Sequence, residues 1–550
     1  MIWNLFFMFG GVAAMMVGMK IMGSALEKIA GGGMKKMLGK ITSNRFAGVG
    51  VGIAVTSIIQ SSTATTVMLV GFVNIGLMTL MQATHVIMGA NIGTTVTAHI
   101  VSLSGVGGGI DIGAIAAMIG CIGILMAMLV KNPKAQNIGN ILAGLGLIFV
   151  GLEFISNYAK LIMFNDGVPY DWVTAIFRGD HFPLLLVLIG IVLTALVHSS
   201  STITSLMVVL ASIGVLSFDN ALFLALGSNI GTCVTSLLSS AGTSANAKRT
   251  AVVHLLFNTL GCVLFITPIW ILKNQIGTFF AGLSSDVGQQ IAIFHTAFNV
   301  ITTLVLLPVS GLIVKLVIKL VPEEKKERDK EHCFTFIDER FLSTPAVAVS
   351  NTKNEIIRMA GYARENIDNS IKILLDNDFS VKEKFEKNEE IINYLNKSIT
   401  AFLTKLIGLG LTEKEDKKVG SYYRVVSDIE RIGDYAENVV EYAEKLRDEN
   451  MSFSDQAKDE LLTLTDKIYE LFDKSIAAFD DRNPDLLPEV ESIEDGIDQM
   501  SAELENRHID RLKNGKCTAQ VGSVYLQTVS HLERIGDHIT NISSSIKQYC

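Results

Sequence analysis

Acidic residues are nearly missing from the first 320 positions of this 550-residue chain, where eight Asp and Glu stand against 15 Lys and Arg. Cysteine is sparse as well: Cys121, Cys233, Cys262, Cys333, Cys517 and Cys550 form no CxxC pair and no metal-ligand spacing. That excludes a disulfide scaffold and makes free thiols the default. No nucleophile–base pair, phosphate-cradling glycine loop or zinc signature occurs, so an enzyme is not expected. No charge precedes Lys20 and no small-residue cleavage site follows a short apolar core, which reads as a retained span rather than a signal peptide.

What is present differs sharply between two regions. Up to Leu320 only 23 residues are charged and the net is +7, whereas the remaining 230 residues carry 31 basic and 46 acidic side chains, a net of −15. The formal sum of −8 describes neither region. The composition indicates a membrane domain over 1–320, a linker over 321–345 and a soluble acidic domain over 346–550. The charged exit covers Val321–Arg328, and Thr344-Pro345 ends the linker.

A bilayer core of about 30 Å needs about 20 mostly apolar residues per helix. Full spans are expected near 2–24, 80–102, 111–130, 137–157, 219–240, 250–272 and 289–314. Two further apolar stretches, 46–74 and 182–216, are split by polar clusters, Gln60-Ser61-Ser62-Thr63 and His198-Ser199-Ser200-Ser201-Thr202. Their short arms predict re-entrant hairpins. Lys28, Lys35, Lys36, Lys40 and Arg45, then Lys131 and Lys134, then Lys248 and Arg249 fall in alternate loops, so the positive-inside rule puts those loops and the chain after 314 in the cytoplasm. The N-terminus is then outside. Asp111, Glu153 and Asp219 read as interfacial charges, Val106–Gly109 as an external turn, and Trp3, Trp172 and Trp270 as interface anchors.

The sequence repeats on itself at a shift of 138: Thr56 meets Thr194, Ser61-Ser62 meets Ser199-Ser200, and Asn91-Ile92-Gly93-Thr94 meets Asn229-Ile230-Gly231-Thr232, with Thr97 on Thr235. Gly11 and Gly18 match Gly144 and Gly151 at a shift of 133. Repeat one covers about 2–130 and repeat two about 137–272, with an extra span at 289–314. The copies start on opposite sides of the membrane, so they are inverted. Inverted repeats with broken helices point to the midplane site of a secondary transporter.

A helix resuming after Ser62 or Ser200 offers unpaired N–H groups and hydroxyls to an anion, and the arm ending at Gln60 or His198 offers carbonyls to a cation. Ordinary interhelical hydrogen bonding is the alternative for such serines; recurrence of the cluster favours a site. Asn91, Thr94, Asn229 and Thr232 supply neutral oxygens suited to sodium, with His198, Ser201 and Thr202 beside them. No carboxylate lies in either hairpin centre, so a carboxylate proton relay is not expected there. His254 and His295 open two HxxFN patches, read as packed helix faces.

These paired serine clusters and the strings GANIGTT and GSNIGTC resemble the type II sodium-phosphate cotransporter family, whose bacterial members often carry a PhoU-like tail. The resemblance covers 1–320. It implies an inverted-repeat carrier in which the hairpin tips hold phosphate, through Gln60, Ser61, Ser62, Thr63, Ser199 and Ser200, and sodium ions. His198 departs from the usual glutamine and introduces a titratable ring.

The acidic region reads as six helices near 350–376, 381–409, 413–449, 455–481, 485–514 and 518–548, in two three-helix bundles. Thr412 with Glu415 and Ser380 with Glu383 predict capping boxes, and Asn483-Pro484 a helix start. Glu430-Arg431-Ile432-Gly433-Asp434 recurs as Glu533-Arg534-Ile535-Gly536-Asp537, with Asn438 and Asn541 four residues on. Each set shares a helix face and could hold a divalent or transition metal, or form a solvated acidic face tied by Arg431 and Arg534. The repeat resembles the PhoU family, which implies metal binding at Glu430, Asp434, Glu533 and Asp537, with Glu389 and Glu494 as weaker candidates, and regulation of phosphate uptake.

The expected fold class is thus all-α: a polytopic membrane domain with inverted repeats and two re-entrant hairpins, then a soluble helical domain. The expected function is sodium-coupled transport of inorganic phosphate through a bacterial plasma (inner) membrane, with the tail cytoplasmic; a phosphate exporter and a phosphate-sensing receptor are the alternatives. Expected partners are phosphate, sodium, the lipid bilayer, the carrier's basic loops and a second copy of the chain as a homodimer. A tail of net −15 repels polyanions, so nucleic acid is not expected.

Overall fold

In a computed structural model the chain forms two compact units, Met1–Lys325 and Lys326–Cys550. The structure describes residues 2–39, 44–103, 112–323, 333–409 and 411–549. The turn expected at Val106–Gly109, Asp111, Lys40 and residues 324–328 of the charged exit lie outside the described residues.

Both units are helical. The first contains α1 (Ile2–Gly39), α2 (Arg45–Ile59), α3 (Ser62–Asn74), α4 (Leu80–Ser102), α5 (Ile112–Leu129) and α6 (Pro133–Met163). A two-residue hairpin, Phe164–Asn165 with Val168–Pro169, and a short turn, α7 (Asp171–Val173), lead to α8 (Pro183–Val197). Then come α9 (Ser200–Ser212), α10 (Phe218–Ser239), α11 (Ala245–Ile271), α12 (Lys273–Leu283), α13 (Val287–Leu306) and α14 (Ser310–Leu320).

Against the seven expected full spans, five helices among the described residues are long and apolar enough to cross a bilayer: Ile2–Ile29, Pro133–Met163, Phe218–Ser239, Ala245–Ile271 and Val287–Leu306. Two causes account for the difference. His85, Asn91, Thr94, Thr95, Thr97 and His99 dilute the hydropathy of α4, and the start of the expected 111–130 span lies outside the described residues, which leaves only the shorter stretch Gly113–Leu129 to count. The stretch 289–314 is also not one helix. Pro308, which has no N–H to continue the ladder, separates α13 from α14. A sixth candidate is the pair Asp171–Arg178 and Pro183–Val197, bent by 93°.

Glycine sets the closest helix contacts. A Cβ on Gly89 would lie 2.0 Å from the Val49 carbonyl oxygen, and one on Gly227 would lie 2.0 Å from that of Val187. These are equivalent positions at the shift of 138, so α2–α4 and α8–α10 cross backbone to backbone in the same way. The helices α1 and α6 meet at Gly11 with Gly151 and Gly18 with Gly144. The contact partners run in opposite directions along the two helices, so the pair is antiparallel.

The second unit consists of α15 (Pro345–Asp376), α16 (Lys382–Ile407), α17 (Glu413–Asp448), α18 (Asp455–Asp481), α19 (Leu487–Lys513) and α20 (Ala519–Ser544). Apolar residues at three- and four-residue spacing, as in Val419, Tyr422, Val426, Ile429, Gly433 and Ala436, give each helix one buried face. Thr412 and Glu415 form the expected capping box. Ser380 and Glu383 do not. Asp378 takes the Ser380 N–H at 3.1 Å and starts a short 3-10 turn, so α16 begins without a side-chain cap. Asn483 likewise caps a 3-10 turn, Pro484–Leu486, ahead of α19.

Candidate functional site

The chain breaks at the two polar clusters with nearly the same backbone. Gln60 ends α2 at φ 57° and ψ 24°, and His198 ends α8 at φ 57° and ψ 23°. A left-handed residue without glycine's freedom is held there by its N–H, which donates 2.8 Å to Thr56 or Thr194. Ser61 (φ −147°) and Ser199 (φ −149°) then cap α3 and α9. Ser61 Oγ accepts from the Ala64 N–H at 3.1 Å, and Ser199 Oγ from the Thr202 N–H at 3.2 Å. In this arrangement each capping hydroxyl keeps its proton for another acceptor, and the first-turn amides after it lack helical partners. Ser62 and Ser200 are buried, as are Ser201 and Thr202, while Thr63 is half-buried.

The two breaks differ in side chains. Gln60 Nε2 donates to the Ser57 carbonyl at 2.5 Å and its Oε1 accepts from Thr97 at 2.9 Å. His198 meets the equivalent hydroxyl, Thr235, through Nδ1 at 3.0 Å. A ring nitrogen thus replaces the amide oxygen. The histidine has no second arm to cap the Ala195 carbonyl as Gln60 caps that of Ser57.

The helices carrying the second motif are α4 and α10. Reciprocally, α3 packs on α4 and α10, and α9 packs on α10 and α4. Thr94 and Thr232 donate to the carbonyls of Ala90 and Ser228, which leaves their lone pairs available to a cation. Asn91 Nδ2 donates 2.9 Å to the Ile87 carbonyl, so its Oδ1 is free of that bond. Asn229 is committed on both sides: its Nδ2 donates 3.0 Å to Asn299 Oδ1, and its Oδ1 accepts from His295 Nε2 at 3.1 Å. The sequence placed His295 and Asn299 in a packed face of their own. They do share a helix bond, Asn299 Nδ2 to the His295 carbonyl at 2.8 Å, but the ring reaches across to α10. His254 and Asn258 repeat the pattern, with Ser236 and Cys233 as partners on α10.

In the second unit, Glu430 and Asp434 on α17 are joined by Glu389 on α16, and Glu533 and Asp537 on α20 by Glu494 and Asp498 on α19. Burial first, then Glu437, Asp434 and Glu430, pushes the Glu389 carboxyl up to about 7. Glu430, Glu494, Asp498 and Glu533 are also raised, by burial and then by neighbouring carboxylates. The oxygens of Glu494, Asp498 and Asp537 lie within 4.8 Å of one another. Of the four carboxylates expected from the sequence, only Asp537 belongs to that triad. Arg534 sits 3.6 Å from Asp537 and 3.7 Å from Glu533, so part of the face is tied by a cation of its own chain.

A bundle of apolar helices with two capped breaks of matching geometry, joined to a helical acidic unit, defines a membrane transporter with an appended domain. The Na+/Pi-cotransporter family model matches residues 14–157 and 174–287, and the PhoU domain model matches 356–443 and 461–546. YqeW of Bacillus subtilis, an uncharacterized protein, is 31% identical over 308 residues, which is 56% of this chain and 95% of that one. YjbB of Escherichia coli strain K12, named provisionally as an inorganic phosphate export protein, is 24% identical over 545 residues, 99% of this chain and 97% of that one. Sodium-dependent phosphate transport protein 2C of Mus musculus is 31% identical over 148 residues, 26% of this chain and 22% of that one. The chain belongs to the Na+/Pi-cotransporter family, a family of phosphate transporters, and carries a PhoU domain.

Proposed function

We propose that this protein is a secondary carrier that couples inorganic phosphate to sodium in a bacterial inner membrane, with its PhoU domain in the cytoplasm as a regulatory tail. The observation that carries the reading is the pair of serine-capped helix breaks with one backbone geometry. Phosphate is held by the capping hydroxyls of Ser61 and Ser199 and by the first turns beginning at Ser62 and Ser200, with Gln60 and Thr63 beside the first. Helix N-termini present both N–H donors and a positive dipole end to an anion. Sodium takes the oxygens of Asn91, Thr94, Thr232, Ser201 and Thr202 and the carbonyl end of α8 at His198; Asn229 acts through its bonds to His295 and Asn299. Antiparallel packing of α1 on α6 supports copies of opposite orientation, with each break as the tip of a re-entrant hairpin. Glu430, Asp434, Glu533 and Asp537, with Glu389 and Glu494, hold a divalent or transition metal in the tail.

Phosphate flux into proteoliposomes under an inward sodium gradient, compared with an equal choline gradient, tests the coupling. Sodium-dependent accumulation lost in Ser62→Ala is the expected result; equal flux under both gradients would overturn sodium coupling. Export is the second reading, favoured by the full-length likeness to proteins named for phosphate export. Vesicles loaded with phosphate and sodium decide it: net efflux that persists against an inward sodium gradient supports an exporter.

A further inference from the structure

The two Asn-Ile-Gly-Thr motifs are bonded differently, and the difference comes from a helix outside both of them. Asn91 settles its amide locally, its Nδ2 donating 2.9 Å to the Ile87 carbonyl one turn back on α4. The Ala225 carbonyl stands at the equivalent position of α10. Asn229 does not use it. Its amide turns to α13, which lies beyond the segments that match at the shift of 138.

One backbone atom fixes every proton in that contact. The His295 carbonyl can only accept, so the Asn299 atom 2.8 Å from it is Nδ2. Asn299 then shows Oδ1 to Asn229, which must answer with Nδ2 at 3.0 Å. That turns Asn229 Oδ1 toward His295 Nε2 at 3.1 Å, and the ring proton has to be on Nε2. The three side chains thus close a ring of bonds that runs from the His295 carbonyl back to the His295 imidazole. All three are buried, and His295 is 1% exposed. Its other ring nitrogen, Nδ1, is a buried acceptor without a partner. An apolar residue would fill the place without that cost, so packing alone does not account for a histidine here.

The same helix also holds α4. Thr296 Oγ1 spends its proton on the Ala292 carbonyl at 3.2 Å and so accepts from His99 Nε2 at 2.8 Å, and Thr303 Oγ1 donates 3.3 Å to the Met88 carbonyl. On a helix, residues 296 and 303 share one face, and 295 and 299 the neighbouring one. Helix α13 therefore grips both motif helices, α4 through hydroxyls and α10 through the amide ring.

We propose that His295 is a positioning residue for sodium: through Asn229 it fixes the α10 motif against α13, so that Thr232 keeps its lone pairs where the ion needs them. The inference rests on the reading of that motif as part of the sodium site. Thr232 follows Asn229 by three residues on one helix, and its hydroxyl proton is already spent on the Ser228 carbonyl at 3.1 Å, so placing α10 places this ligand. Asn91 needs no such brace, because its amide is tied to its own helix. The copies meet the ion differently, one through an amide oxygen and the other through a braced hydroxyl.

Phosphate flux into proteoliposomes of the full chain, measured over a series of sodium concentrations, tests it. His295→Leu should raise the sodium concentration for half-maximal flux about tenfold, while phosphate half-saturation at saturating sodium stays unchanged. His295→Gln, whose amide nitrogen can stand where Nε2 stands, should restore most of the affinity, a rescue that a purely packing role would not give. Added to Asn229→Ala, His295→Leu should do nothing further, because it acts through that amide. His295→Asn, too short to reach α10, takes the place of the leucine variant if that one does not fold. Unchanged sodium dependence in His295→Leu, a glutamine variant as impaired as the leucine one, or effects that add with Asn229→Ala would overturn the inference. Flux by the unaltered protein that ignores sodium would overturn the sodium reading itself, and the inference with it.

Discussion

The two helix breaks in the membrane unit share a backbone and differ in a side chain. Gln60 and His198 agree to within a degree in both torsions, yet one caps a carbonyl of its own helix and the other cannot. The lesson is that duplication preserved the frame that presents helix ends, while the atoms lining each end diverged. The frame depends on the glycine crossings. Gly227→Ala or Gly89→Ala puts a methyl 2.0 Å from a backbone oxygen, and neither helix can yield without losing the crossing. Each should cost at least about 3 kcal/mol and abolish transport. Gly50→Ala, with nothing within 4 Å of the added carbon, is the control. Thermal unfolding in detergent separates the three; a Gly227→Ala protein as stable as Gly50→Ala would show that the crossing tolerates a side chain.

If the two breaks act as one site, their serines should fail together. Ser62→Ala and Ser200→Ala each remove a hydroxyl beside the proposed anion and should weaken phosphate binding about 10- to 100-fold with little loss of stability. A large effect in one copy and none in the other would show that only one break holds phosphate.

The tail offers the same comparison between its repeats. Glu389 and Glu494 are equivalent at a shift of 105, but Glu389 is buried and its carboxyl is raised to about 7 from an ordinary 4.5. The native state then keeps a proton that the unfolded chain releases, so stability is greatest below pH 4.5 for this group, falls as pH rises and is fully lost above about 7. In chelator, Glu389→Gln should flatten that decline by on the order of 2 kcal/mol, read from denaturant unfolding at a series of pH values. A wild-type slope in the variant would assign the titration to another carboxylate.

The positions of the breaks were legible because hydroxyl clusters interrupt runs that otherwise have no reason to stop. The PhoU helices were legible from spacing and caps. The Ser380–Glu383 box failed because Asp378, two residues upstream, is the stronger acceptor for the same N–H. The bonds of Asn229 to His295 and Asn299 could not be read: a pair separated by 66 residues is made by the packing of α13 on α10, and local pattern carries no trace of it. The triad at Glu494, Asp498 and Asp537 was half visible for the same reason, since it needs α19 and α20 side by side.

The smallest expected effect addresses the difference between the breaks directly. His198→Gln would give the second copy an amide able to do what Gln60 does, accepting from Thr235 and donating to the Ala195 carbonyl. If that carbonyl end helps hold sodium, capping it should weaken the apparent sodium affinity of transport by a few-fold, about 1 kcal/mol, while phosphate affinity at saturating sodium stays unchanged. Gln60→His is the reciprocal change: it uncaps the Ser57 carbonyl and should shift sodium affinity the opposite way. Equal and same-signed shifts in both variants would mean that the residue matters for holding the left-handed turn, not for the carbonyl end it leaves open. Opposite shifts would place the functional difference between the copies in that one arm of the side chain.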